Sequence, residues 1–231
     1  VINMRVCYGK TTTKTPLLTS DITHIKLNPK WRVPYKIIRD EMSHHAGDSA
    51  YFARNNYYIT NSKGEQIDPR NLTSAQLRSG RYAITQRNGA GNSLGRILFN
   101  FPNKFAVYLH STSSPGAFKR QQRAISHGCI RLQRPFDIVE FLMTDADEWE
   151  LDQMRLWIDM QPKTERGRQY LKNNPEKPAI TERNVALKSK VPVLIDYYTL
   201  YPNPETKVLE TWDDPYGYDT IIYNAIKPYL P

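Results

Sequence analysis

The sequence lacks the features of a membrane-embedded or disulfide-rich protein. It has only two cysteines in 231 residues, Cys7 and Cys129, which excludes a small secreted scaffold held together by several bridges. No apolar run approaches the roughly 18 residues that a membrane-spanning helix needs. Residues 1–6 are typical of a strand and do not form a signal peptide. Internal repeats are also absent.

The composition is that of an ordinary globular protein, with 39% hydrophobic and 24% charged residues. The formal net charge of +9 favours anionic partners such as nucleic acid, membrane lipid or an acidic wall polymer, or serves solubility alone. Basic residues are scattered, apart from Lys119 and Arg120 with Arg123, and no zinc-finger or RNA-binding signature is present. We therefore expect no nucleic-acid partner.

The pattern of apolar residues predicts a mainly β or α+β protein with two or three helices. Strands are expected over residues 4–8, 22–27, 97–101, 105–110, 191–201 and 208–212. Helices are expected over residues 135–143, 148–160 and 220–227. Residues 38–85 are predicted to form an inserted small subdomain. Residues 161–190, which are charged and interrupted by proline, are predicted to form a surface insertion.

The strand predicted over residues 105–110 ends at a histidine. Alternation along a strand places Phe105, Val107 and Leu109 on one face, which is the better core face. The other face then carries Tyr108 and His110. We expect His110 to point toward a cleft or solvent.

The segment Ser126-His127-Gly128-Cys129-Ile130-Arg131 carries the clearest chemical signal. A thiol becomes a good nucleophile when a base can take its proton, and histidines lie both nineteen and two positions before Cys129. The glycine allows a sharp turn, and we expect the backbone N–H groups of Gly128 and Cys129 to face a developing oxyanion. Cys7, in an apolar run, is predicted to be a buried structural thiol.

Two other interpretations of these residues stay open at this point. Zinc binding is disfavoured, because a catalytic zinc needs three protein ligands and no further cysteine or acidic partner stands at ligand spacing. A buried thiol with hydrogen-bonded histidines is the ordinary structural interpretation. The small polar neighbours of Cys129 count against burial.

The spacing of the histidine and the cysteine motif resembles the signature of the L,D-transpeptidase catalytic domain family. In this chain the signature consists of His110, fifteen intervening residues, and Ser126-His127-Gly128-Cys129-Ile130-Arg131. The Asn92-Ser93-Leu94-Gly95 turn also resembles a family motif. Further similarity to large periplasmic members with a capping insertion extends over most of residues 1–160 and the strand that begins at Val191. Several fixed identities at a constrained separation make the signature specific.

The resemblance implies a β-sandwich catalytic domain over residues 1–231, with residues 38–85 as a capping subdomain. It implies no cofactor and no metal. The chain does not begin with methionine, and family members usually have one or two earlier strands. We therefore expect a fragment or processed form, with part of the sheet and any wall-binding domain or membrane anchor outside it.

The resemblance also implies roles for individual residues. Cys129 matches the nucleophile, His110 the general base, and Ser111 the residue whose backbone carbonyl orients that base. Gly128 belongs to the same catalytic loop. The implied substrate-binding residues are Ser126, His127 and Arg131. For Arg131, recognition of a substrate carboxylate and a hydrogen bond that fixes the loop stay open. Tyr108 lines the pocket or packs in the core.

The implied activity is a two-step acyl transfer between peptidoglycan tetrapeptide stems, with release of D-alanine and a 3→3 crosslink. The alternatives are an L,D-carboxypeptidase or endopeptidase of the same family, or an inactive wall-binding module. Donor and acceptor stems would be the partners and carbapenems the inhibitors. The implied location is the periplasm or cell envelope.

Overall fold

The computed structural model of the chain describes residues 2–176, 180–203 and 205–230. The strands, in chain order, are β1 (Val6–Gly9), β2 (Leu18–Leu27), β3 (Trp31–Arg32), β4 (Tyr57–Thr60), β5 (Gln66–Ile67), β6 (Ala83–Gln86), β7 (Ile97–Asn100), β8 (Leu109–His110), β9 (Ala124–Ser126), β10 (Ile130–Leu132), β11 (Arg183–Ile195), β12 (Leu200–Pro202) and β13 (Leu209–Thr211). The α-helices are α1 (Tyr35–Asp40), α2 (Ser49–Arg54), α3 (Ser74–Arg78), α4 (Pro135–Leu142), α5 (Glu148–Trp157), α6 (Glu165–Asn173) and α7 (Tyr218–Ile226). Short 3₁₀ helices lie at Met42–His45, Pro69–Asn71, Pro115–Lys119 and Lys227–Tyr229.

Seven strands form one mixed sheet, in the order β11-β2-β7-β8-β10-β1-β9. Neighbouring strands pair antiparallel, except that β10 pairs parallel with β8 and β1 pairs parallel with β9. The sheet packs on α4 and α5 through a buried cluster that includes Ile25, Phe99, Val139 and Met154. Sheet and helices together confirm the predicted β-rich α+β class.

A second sheet lies within residues 31–86, which we call the insert. Its four strands have the order β3-β6-β4-β5, and α1, α2 and α3 pack beside them. The insert has a hydrophobic cluster of its own, in which Ile59, Leu77 and Ile84 have no exposed surface. Because β3 pairs with β6, the insert begins at Trp31, before the boundary predicted at residue 38.

Both junctions of the insert are fixed by buried amide side chains. Asn28, fully buried and with a left-handed φ of 48°, donates from Nδ2 to the Trp157 carbonyl at 2.7 Å. Its Oδ1 accepts from Arg96 at 3.0 Å. At the other junction, the Gln86 side chain accepts from the Ser93 N–H at 2.8 Å. These contacts set the position of the insert against the main sheet.

The predicted strand over residues 105–110 is wrong except for its last two residues, which form β8. The Asn103 side chain accepts from the N–H groups of Phe105 and Val107, and Ala106 adopts a left-handed φ of 53°. This local turn breaks the alternation. Phe105 is consequently 47% exposed, and His110, expected to point toward a cleft or solvent, is 3% exposed.

The late strand, predicted over residues 191–201, begins and ends earlier than predicted. β11 begins at Arg183 instead of Val191, and Arg183 pairs with Leu27 of β2. The proline at position 192 fits because β11 lies at the edge of the sheet, where a missing N–H costs little. The segment 161–190, predicted to be a surface insertion, therefore contains α6 and the first half of β11. Its residues 177–179 lie outside the described residues. Val1, at the start of the chain, also lies outside them.

The helical layer is joined to the segment before α6 by buried charges. Asp152 has no exposed surface, and its carboxylate accepts from Lys163 N at 2.7 Å, Thr164 N at 2.8 Å and Thr164 Oγ1 at 2.6 Å. Arg155 donates to both Asp152 and Glu140. Burial alone would raise the pKa of Asp152, but the hydrogen bonds from Thr164 and Lys163 outweigh it and lower that pKa to about 2.

Replacing Asp152 with asparagine should therefore destabilise the fold strongly. The substitution removes a buried charge opposite Arg155 and turns amide hydrogens toward groups that are already donors, so we expect the free energy of unfolding to fall by about 3 kcal/mol. Urea unfolding measures this change. Asp137→Asn is the matched control: Asp137 pairs with Arg134 at the surface, and the loss should stay within about 1 kcal/mol. Equal losses in the two variants would contradict the role assigned to Asp152.

Candidate active site

The parallel pairing of β8 with β10 brings the sequence-predicted base and nucleophile into one neighbourhood. His110 lies opposite Arg131, and the Ile130 N–H donates to the Tyr108 carbonyl at 2.9 Å. Cys129 immediately precedes β10 and so lies beside Tyr108, and its Sγ donates to the Ala106 carbonyl at 3.9 Å. His110 and Cys129, which are far apart along the chain, therefore lie on neighbouring strands or directly beside them.

The His110 ring is held by two backbone carbonyls. Its Nδ1 lies 2.5 Å from the Ser111 oxygen and 3.3 Å from the Leu94 oxygen. Since a carbonyl oxygen can only accept, Nδ1 carries the hydrogen and donates. The lone pair of the neutral ring is therefore on Nε2, which settles a tautomer that the sequence left open.

Burial favours the neutral forms of His110 and Cys129. It lowers the pKa of His110 to about 4, and the nearby Arg131 guanidinium acts in the same direction. Burial also raises the pKa of the Cys129 thiol, although the Tyr108 N–H and Arg131 act the opposite way. At neutral pH the pair is an imidazole and a thiol, and no thiolate–imidazolium pair is formed in advance.

Ser111 supports this arrangement through its side chain as well. Its Oγ accepts from Arg96 N at 2.6 Å and Ile97 N at 2.9 Å and donates to the Leu94 carbonyl at 3.1 Å. The preceding Gly95 has a φ of 66°, and a Cβ there would lie 2.1 Å from the Ser111 Oγ. Only glycine allows this turn to pass so close to Ser111.

The loop before Cys129 is fixed by a buried hydroxyl. Ser126, 2% exposed, donates from Oγ to the Cys129 carbonyl at 2.5 Å and accepts from the Gly128 N–H at 3.0 Å. Two expectations therefore change: Ser126 shapes the loop instead of facing substrate, and the Gly128 N–H is not free for an oxyanion. In the described part of the chain, the Cys129 N–H has no hydrogen-bond partner. The glycine itself is needed, since φ is 118°.

Two residues that the sequence analysis did not predict, Thr15 and Tyr216, also stabilise the loop before Cys129. Thr15 Oγ1 donates to the Gly128 carbonyl at 2.8 Å and accepts from Gly9 N at 2.9 Å. The Tyr216 hydroxyl accepts from Thr15 N at 3.1 Å and donates to the Gly9 carbonyl at 2.7 Å. Neither lies within a local motif, and the partners are up to about two hundred positions apart, so no sequence pattern signals them.

Arg131 lies in β10, opposite His110 of β8. Its buried Nε makes no hydrogen bond to the residues described in the structure. Its charge acts on both His110 and Cys129. Two interpretations of Arg131 were left open, carboxylate recognition and a hydrogen bond that fixes the loop. Among the described residues, the structure shows no hydrogen bond from this side chain to the loop.

His127 is turned toward the insert. Its Nε2 lies 2.6 Å from Oε1 of Glu41, which directly follows α1. The two side chains remain 36% and 55% exposed. Nothing in the sequence indicated this contact, because the residues are 86 positions apart.

The remaining candidates are placed as follows. Cys7 is fully buried against Ala117 and Phe118, which confirms the prediction of a structural thiol, and burial raises its pKa. Tyr108 is half-buried. Across residues 2–176, 180–203 and 205–230, no three His, Cys, Asp or Glu side chains are grouped so as to hold a metal ion.

Comparison with known proteins bears directly on this site. The family model YkuD, the L,D-transpeptidase catalytic domain, matches residues 1–148. A Haemophilus influenzae protein named "Putative L,D-transpeptidase" is 26% identical over 238 residues; the match covers 100% of this chain and 44% of that protein. The chain thus spans less than half the length of that curated relative.

The family match includes every element of the site from β1 to β10. It covers more than half of the chain, together with His110, Cys129 and the turn and loop that hold them. The chain belongs to the L,D-transpeptidase catalytic domain family.

Proposed function

We propose that this chain is a peptidoglycan L,D-transpeptidase that forms 3→3 crosslinks through a thioester on Cys129. Family membership supports a transpeptidase acting on peptidoglycan peptides. One observation carries the finer proposal: His110 Nδ1 is bound by the Ser111 carbonyl, which leaves Nε2 as the base, in the strand next to the thiol. This is the nucleophile, base and orienting group of an acyl transfer.

In the first step, Cys129 would attack the carbonyl that joins diaminopimelate to the terminal D-alanine. His110 takes the thiol proton through Nε2 as the carbon–sulfur bond forms, and then gives that proton to the departing D-alanine nitrogen. A neutral Cys129 thiol and a neutral His110 imidazole suit this order of proton transfers, because charge develops only as the substrate binds. The products are D-alanine and a thioester.

Two groups would hold the substrate during that step. The Cys129 N–H is positioned in the same loop as the sulfur and is the proposed donor to the carbonyl oxygen as negative charge develops. The Arg131 guanidinium is the proposed partner of a stem carboxylate, since its fork matches a carboxylate and its Nε is unpaired among the described residues.

In the second step, an amine of a neighbouring stem attacks the thioester carbonyl and Cys129 departs as the leaving group. Attack by water instead would give carboxypeptidase products from the same intermediate. The insert is the proposed cap: through Glu41 it contacts His127, and by covering the thioester it would favour the amine over water.

The proposed location is the periplasm or another part of the cell envelope. The net charge of +9 suits an acidic wall polymer. In the part of the chain that the structure describes, no helix combines the length and apolar character required to cross a bilayer. Donor and acceptor stems are the proposed partners and carbapenems the proposed inhibitors.

Cys129→Ala should abolish D-alanine release from tetrapeptide stems, because no other group in the site can form the thioester. We expect a loss on the order of 10³-fold or more. In intact-mass measurements the unmodified protein should gain one carbapenem mass, and Cys129→Ala should gain none.

Cys7→Ala is the matched control for the thiol experiment. Cys7 lies opposite Arg131 across β1 and β10, but its side chain is fully buried against Ala117 and Phe118, so this variant should still gain the carbapenem mass. Retention of D-alanine release by Cys129→Ala would overturn the proposal.

The pKa of His110 predicts an unusual pH profile for acylation. With this pKa lowered to about 4, the imidazole stays unprotonated as pH falls from about 7 to 5, and the rate of carbapenem acylation should stay nearly constant. A base with an ordinary pKa near 6.5 would lose about twentyfold over that interval. Acylation time courses at several pH values, with circular dichroism to verify folding, test this. A decline centred near pH 6.5 would contradict the assignment.

A further inference from the structure

The contact between Glu41 and His127 joins the insert to the loop that carries Cys129. Glu41 Oε1 and His127 Nε2 are 2.6 Å apart. Consecutive Cα atoms are about 3.8 Å apart, so the Cα of His127 lies within about 7 Å of that of Cys129. The pair therefore lies close to the residue that would carry the thioester.

Stability does not account for this pair. Both side chains are partly exposed, and exposed ion pairs contribute about 0–1 kcal/mol. The neighbouring carboxylate of Asp40 is occupied by Arg39 at 2.6 Å, so Glu41 alone of these two acidic residues reaches the loop. We therefore ask what chemical role the contact between Glu41 and His127 can have.

The carboxylate selects one form of the imidazole. A carboxylate accepts from Nε2–H, which leaves the lone pair of neutral His127 on Nδ1. Nδ1 makes no hydrogen bond within the described residues. A base whose second nitrogen is held by a carboxylate is the arrangement that proton transfer requires.

The second step of the proposed function needs such a base. An acceptor amine is an ammonium ion at neutral pH and must lose a proton before it can attack. His110 is 3% exposed, and its Nδ1 is already bonded to two carbonyls. Its open nitrogen serves the sulfur, so another acceptor is needed for the ammonium proton.

We propose that Glu41 and His127 form a carboxylate–imidazole pair that takes this proton from the acceptor amine of a neighbouring peptide stem. The proposal rests on the proposed function and assigns its second step a base distinct from His110. His127 would touch the amine, and Glu41 would act as a positioning residue through it.

In the proposed step, two protons leave the acceptor nitrogen. The ammonium gives one proton to His127 Nδ1, and the freed nitrogen lone pair forms the new carbon–nitrogen bond. The carbon–sulfur bond breaks with its electron pair on Cys129. The second nitrogen proton passes through His110 to the sulfur, which restores the thiol, and His127 returns its proton to solvent from its exposed side.

This arrangement links the choice of acceptor to the insert. Because Glu41 belongs to the insert and His127 to the catalytic loop, the base is complete only while the insert rests against that loop. Water needs no ammonium deprotonation, so hydrolysis does not depend on the pair to the same degree. The pair thus favours crosslinking over trimming.

The test compares the two half-reactions in the full chain. We expect Glu41→Gln to lower the ratio of crosslinked dimer to hydrolysed stem by about tenfold to a hundredfold, since general bases contribute about 10²–10⁴-fold. Carbapenem acylation, which needs no acceptor amine, should keep the rate of the unmodified protein. His127→Gln should lower the ratio equally, and the double variant no further. Glu41→Asp should recover part of the ratio.

Asp40→Asn is the matched control and should leave the dimer ratio unchanged. An unchanged ratio in Glu41→Gln would overturn the proposal, and so would a parallel loss of acylation and dimer formation, which indicates a structural role. Failure of the unmodified protein to acylate at all would instead overturn the proposed function, and this proposal with it.

Discussion

The parallel hydrogen bonding of β8 to β10 is the constraint on which the site depends. Each strand is very short, yet their register sets His110 opposite Arg131 and Cys129 beside Tyr108. A shift of one residue would turn every side chain of β10 to the other face of the sheet. β7 fixes β8 from one side and β1 fixes β10 from the other, so the register is determined by the centre of the sheet.

Around this pairing the chain uses backbone atoms where other hydrolytic and transfer sites often use side chains. Carbonyls of Leu94 and Ser111 orient the proposed base, His110, and the Tyr108 N–H acts to lower the pKa of the Cys129 thiol. Backbone groups cannot titrate, so the two acceptors that orient His110 do not change with pH. Glu41 and His127 lie farther out, where the insert meets the loop.

Much of this architecture follows from local patterns, and the rest depends on distant contacts. The helix from Pro135 and the strand from Ile97 agree with apolar periodicity, and the cysteine motif matched a family. The strand over residues 105–110 failed because the Asn103 side chain imposes a turn, which alternation cannot reveal. The roles of Thr15 and Tyr216, like the contact of Glu41, depend on tertiary pairing across most of the chain.

The hydroxyl of Tyr216 has a consequence for the order of events during synthesis. It bonds to Gly9 and Thr15, and Thr15 in turn donates to the Gly128 carbonyl, so Tyr216 contributes to the hydrogen bonding of the loop that carries Cys129. Ribosomes release the amino-terminal partners first. The loop therefore cannot complete its hydrogen bonding until Tyr216 has emerged, long after the motif itself. The loop that carries Cys129 is consequently completed by a residue that is synthesised after it.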